Sequence, residues 1–121
     1  MAFYTLDKSK ATVKSNEGRV YLLKILLDDG KIVYKIGMCN SDRSTDRMME
    51  ILQSFFKVYR YIPRCELKRD RKATDALDTE QKLHSKYEQY SFSFDKKFGG
   101  STEFFYGIDE DEVLLDYEDI L

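Results

Sequence analysis

Two β-rich runs, Arg19 to Leu27 and Lys31 to Met38, flank the tripeptide Asp28-Asp29-Gly30. Asp-Gly between two such runs marks a tight turn, because glycine adopts positive φ without steric cost. The pairing predicts an antiparallel hairpin. A tight turn also argues against a parallel βαβ unit, whose crossover needs roughly a dozen residues or more.

The rest of the chain supplies what covers that hairpin. Asn40 to Thr45 is polar and rich in helix-capping residue types. Asp46 to Phe55 follows with apolar residues at 48, 51, 52 and 55, a helical spacing. Lys57 to Leu67 alternates like a strand, and its Pro63 predicts an edge position or a bulge. A charged connector spans Lys68 to Lys72, and a long helix is expected from about Ala73 to Tyr90. Lys97 to Gly100 reads as a loop, Thr102 to Tyr106 as a short aromatic segment, and the acidic end as a final helix. The order predicts an α+β fold, a small three-stranded antiparallel sheet flanked by helices. It divides as an N-terminal extension over 1–17, a domain over 18–108 and an acidic tail over 109–121.

Charge placement matters more than the net value of −2. Seven of the 22 acidic residues and none of the 20 Lys and Arg lie in 109–121, so the remaining body carries 15 acids against 20 bases, a net +5. The tail reads as an acidic appendage on a basic body. No apolar run is long enough to cross a bilayer, and Met1 to Lys10 lacks the apolar core of a secretory signal. A cytoplasmic protein is expected, or a nuclear one in a eukaryote. Cys39 and Cys65 are read as reduced thiols, without the spacing of a zinc site.

Glu80 is the most informative polar residue. On a helix over 73–90 it neighbours Ala76, Leu77, Leu83 and His84, so a carboxylate falls in the apolar face. Desolvating it costs free energy that a metal ion or a cation would offset. An edge Glu paired with Lys or Arg is the plainer alternative. His84, the single histidine, lies one turn further on and serves either packing or contact with a phosphate or metal-bound water. Arg47 opens the first helix, where anions are favoured, and Arg43 competes for the same phosphate-binding role from the preceding loop. Each also has a solvated reading, paired with nearby acids. Tyr21 and Tyr34 sit on the hairpin strands, and Gly37 marks a close backbone approach or a bulge.

Gly18-Arg19-Val20-Tyr21 followed by Tyr34-Lys35-Ile36-Gly37 resembles the paired motif of the GIY-YIG nucleases. Arg47 at a helix start, Glu80 on a later helix and Ser101-Thr102-Glu103-Phe104-Phe105 then resemble a phage- and virus-associated branch with a Lys-Ile-Gly core. The resemblance covers roughly residues 18–106. It implies that Tyr21 helps activate the attacking water, Arg47 stabilises charge on the scissile phosphate, and Glu80 holds a single Mg²⁺ or Mn²⁺. Gly37 matches the glycine of the second half. Lys35 stands where that half carries its tyrosine, so Lys35 contacts the phosphate or assists the water, and His84 assists as well. Tyr34, one position earlier, is the remaining substrate-binding candidate, though a regular strand turns it away from Lys35.

The expectation is a metal-dependent endonuclease acting on DNA, with weak intrinsic specificity, a partner protein that supplies targeting, or a homodimer. The alternative is a catalytically inactive binding module of the same fold, regulated by its acidic tail. A third reading is an unrelated aromatic-rich structural domain.

Overall fold

β1 (Gly18–Leu26) and β2 (Ile32–Asn40) form the expected hairpin, paired antiparallel from Gly18 opposite Asn40 to Leu26 opposite Ile32. Gly30 takes φ 90° in the turn. The computed structural model describes residues 18–40 and 43–120, so the expected extension over 1–17 lies outside the described residues. Val20, Tyr21, Leu22 and Leu23 are all buried, which places successive side chains against cover on both faces.

Among the described residues the sheet has five strands, not the expected three: β3 (Arg64–Lys72), β1, β2, β5 (Phe104–Tyr106) and β4 (Ser91–Phe92), in that order. β4 (Ser91–Phe92) and β5 (Phe104–Tyr106) extend it beyond β2. Runs of two and three residues are too short to display an alternating pattern; they become strands by pairing with a neighbour. The strand expected over Lys57–Leu67 is also displaced. Helix α1 (Ser44–Tyr59) runs through Tyr59 and stops at Arg60, whose left-handed φ of 65° lets its N–H reach the Phe56 carbonyl at 2.8 Å. Strand β3 (Arg64–Lys72) begins just after Pro63 and takes in the residues expected to be a charged connector. Its charges suit an edge strand bonded to β1 alone. Helix α2 (Ala76–Lys86) falls inside its expected range, capped by the Asp75 side chain on the Asp78 N–H at 3.1 Å. A 3₁₀ turn over Glu88–Tyr90 finishes that stretch.

Two cores lie on the two sheet faces. Val20, Leu22, Tyr34 and Ile36 pack with α2 and with helix α3 (Glu110–Glu118). Tyr21, Leu23, Ile25 and Val33 pack with Ile51 and Phe55 of α1 and with Phe104. The acidic segment is therefore part of the core through Val113 and Tyr117. The Tyr117 hydroxyl donates to the Tyr21 carbonyl at 2.6 Å. Acids of α3 meet bases of the sheet and of α2: Glu110 with Lys24 at 2.7 Å and Lys68 at 3.5 Å, Asp116 with Lys86 at 2.8 Å, Glu118 with Arg69 at 3.8 Å. No described helix is long and apolar enough to cross a membrane.

Two outcomes follow for α3. Ending the chain before Asp109 removes Val113 and Tyr117 from one core, so circular dichroism should show a weakened or lost cooperative unfolding transition. Glu110 is held down at about 2 by hydrogen bonds from Lys24 and Tyr34, below the carboxylate value of 4.5. Its contribution is then complete above pH 4.5 and lost as pH falls towards 2. Denaturant titrations across that window should show Glu110→Gln losing about 1 kcal/mol less stability than the parent.

Candidate active site

The site is built around the outer edge of β2. β5 pairs with β2 only at Val33, Tyr34 and Lys35, and the last backbone bond runs from the Ile36 N–H to the Glu103 carbonyl at 3.3 Å. Beyond it, side chains of α2 take the place of a strand. His84 Nε2 donates to the Ile36 carbonyl at 2.7 Å. The Met38 backbone N–H lies near enough to the Glu80 carboxylate to favour its charge. The i, i+4 spacing of Glu80 and His84 is what delivers both to one strand edge.

On the α1 face, Tyr21 stands directly opposite Gly37. A Cβ on Gly37 would lie 2.5 Å from the Tyr21 hydroxyl oxygen and 2.6 Å from Cζ, so the missing side chain is what lets the phenol cross β2. The phenol lies beside the Arg47 guanidinium. Burial nevertheless raises its pKa to about 12, so it is protonated at neutral pH.

The start of α1 is anchored by a short polar chain. Buried Ser44 donates from Oγ to Asp70 at 2.9 Å, and Asp70 also accepts from Arg19 Nε at 2.8 Å. Cys39 Sγ lies 3.3 Å from the same Ser44 oxygen. Arg47, just along the helix, donates to Glu50 at 2.7 Å. Arg43 donates to the other Glu50 oxygen at 2.9 Å and lies 3.7 Å from Asp46. It shares Glu50 with Arg47 without reaching Tyr21 or Lys35 by any described bond.

Lys35 is only 2% exposed. Its Nζ donates to the Gly100 carbonyl at 2.9 Å and the Thr102 carbonyl at 2.8 Å, and pairs with Glu103 at 3.5 Å. Burial pulls its pKa down and Glu103 pushes it back up. Lys35 thereby ties the 100–103 loop to β2.

Glu103 is the residue the sequence reading left without a role. It carries φ 68°, a left-handed value uncommon outside glycine. Its place in Ser101-Thr102-Glu103-Phe104-Phe105 was the available signal. Among the described residues, one ligand atom each from Glu80, His84 and Glu103 lies within 4.8 Å of the others. Burial raises the Glu80 pKa first, and Glu103 raises it further; His84, Lys35 and the Met38 N–H work the other way. Two carboxylates and an imidazole with this electrostatic stress suit a divalent cation.

Tyr21, Lys35, Gly37, Arg47, Glu80 and His84 are thus brought to one region from β1, β2, α1 and α2. Tyr34 is not. It packs in the opposite core and donates its hydroxyl to Glu110, because adjacent strand residues face opposite ways.

The fold is a small α+β domain with a carboxylate–imidazole cluster at a sheet edge. A family model described as the T5orf172 domain matches residues 18–120, and the chain belongs to that family. No curated protein and no solved structure matches it.

The Tyr21–Gly37 contact yields a double-mutant test. Gly37→Ala should cost about 1–3 kcal/mol by overpacking. In a Tyr21→Ala background most of that penalty should vanish, as read by denaturant midpoints.

Proposed function

We propose that the chain is a GIY-YIG-type endonuclease that hydrolyses phosphodiester bonds in DNA with one Mg²⁺ or Mn²⁺ ion. The observation that carries this reading is the convergence of a carboxylate–imidazole–carboxylate set with the Tyr21–Arg47 pair, from elements far apart in sequence. Glu80 would hold the ion, which when bound would polarise the phosphate and stabilise the leaving oxygen.

The chain's own groups supply the remaining chemistry. Arg47 presents a fork that a phosphate can engage by displacing Glu50, itself an exposed carboxylate. Tyr21 is a neutral phenol, so it orients the attacking water by hydrogen bonding and does not act as a phenolate base. Lys35 adds positive charge beside Glu103 and holds the loop that carries it. His84 keeps its ring oriented through the Ile36 carbonyl. Donors fixed in advance around developing charge are worth several kcal/mol, on the order of 10²–10³-fold in rate for one such group.

One observation favours a second reading, a binding module without catalysis. Arg47 and Arg43 share Glu50, and Arg43 also lies near Asp46, which offsets much of the positive charge at the start of α1. Acids of α3 already pair with Lys24, Lys68, Arg69 and Lys86, bases outside this cluster.

Plasmid, branched and single-stranded DNA incubated with Mg²⁺ or Mn²⁺ should be nicked in a chelator-sensitive way. Glu80→Gln and Arg47→Ala should each lower the rate by roughly 100-fold or more while Glu80→Gln still binds DNA. Intact substrates under every condition, with binding preserved, would support the module instead.

A further inference from the structure

The metal reading above assigns Glu80 alone. We infer that His84 and Glu103 complete its ligand set, through one imidazole nitrogen and one carboxylate oxygen, and that the site therefore selects Mn²⁺ over Mg²⁺. This inference rests on the proposed metal site and specifies its chemistry.

Glu80 is 6% exposed, and among the described residues no salt bridge reaches it, since the buried Lys35 pairs with Glu103. A carboxylate so placed has given up its water without gaining a close counter-charge. Glu103 adds a second negative group beside it. Lys35 cannot swing across to serve both, because two of its three donors are committed to the Gly100 and Thr102 carbonyls.

The histidine geometry is specific. The Ile36 oxygen can only accept, so Nε2 carries a proton, and in the neutral ring this leaves the Nδ1 lone pair for a ligand. Holding one ring nitrogen on a backbone carbonyl is how proteins fix the tautomer and orientation of a metal-ligating histidine. The Phe105 ring, 5.7 Å away between centroids, limits ring rotation further. Glu103 keeps a left-handed backbone, uncommon outside glycine unless its surroundings hold it. The Ile36 N–H and the Lys35 clamp supply that hold on either side. One ligand atom of Glu103 lies within 4.8 Å of those of Glu80 and His84.

Ligand chemistry then decides the ion. Mg²⁺ retains water and takes one or two carboxylates, whereas imidazole suits first-row transition ions. An N-plus-two-O set therefore favours Mn²⁺.

The test uses the full chain and Mn²⁺ as probe, with no DNA present. Titration followed by electron paramagnetic resonance should show one bound ion, and pulsed measurements should show imidazole-nitrogen modulation in the parent protein. His84→Gln should abolish that modulation and shift the Mn²⁺-to-Mg²⁺ affinity ratio towards Mg²⁺. Glu103→Gln should weaken Mn²⁺ binding by about tenfold or more. Glu80→Gln should abolish binding, with circular dichroism verifying the fold of each variant. Mn²⁺ bound in a Glu80-dependent way, without nitrogen modulation and with Glu103→Gln unchanged, overturns this inference and leaves the Glu80 site standing. No binding of either ion to the parent protein overturns both.

Discussion

Backbone polar groups cannot be buried unpaired, and the outer edge of β2 is where this constraint shapes the molecule. β1 satisfies one edge of β2 along its whole length, while β5 satisfies the other only as far as Ile36. The remaining stretch is met by Glu80 and His84 from α2. The same two side chains that close the edge are thus the ones that face Glu103. A structural requirement and a chemical opportunity are met by one arrangement. Filling that edge with a longer β5 would satisfy the backbone equally well and would leave no polar cluster.

Charge is segregated by face. The bases of β3 and their neighbours Lys24 and Lys86 are matched by α3, which also buries Val113 and Tyr117. Such pairs are partly exposed, and each contributes modestly. The apolar anchors and the Tyr117–Tyr21 hydrogen bond are the stronger reasons that α3 docks. A net charge of −2 therefore says little about the site, because acids of the C-terminal helix are paired with Lys24, Lys68, Arg69 and Lys86.

Around the site the electrostatics pull in a consistent direction. Glu80 and Glu103 repel, burial disfavours the charge on Glu80, and Lys35 answers Glu103 while it pins the loop. Tyr21 is neutral yet close to a permanent cation in Arg47. The polar chain Arg19–Asp70–Ser44 fixes the first turn of α1, and through it the place of Arg47. These features resemble a set of groups prepared for charge that arrives with a ligand.

The hairpin, α1, α2 and the final helix were readable because each rests on local signals: a turn residue, a 3.6-residue apolar period, a capping side chain. The motif residues Tyr21, Lys35, Gly37, Arg47 and Glu80 were visible for the same reason, as spaced letters along the chain. β3 was placed too early because an edge strand can carry charge at nearly every position, which hides the period. β4 and β5 exist only through pairing, so no local pattern announces them. Glu103 has a role only because β5 stops beside it, and Gly37 needs to be glycine only because Tyr21 crosses it. By itself the sequence determined the hairpin and the three helices, and it marked the spaced motif residues as candidates. Tertiary structure decided which of them meet, since convergence depends on strand order and edge pairing, and neither is encoded in neighbouring residues.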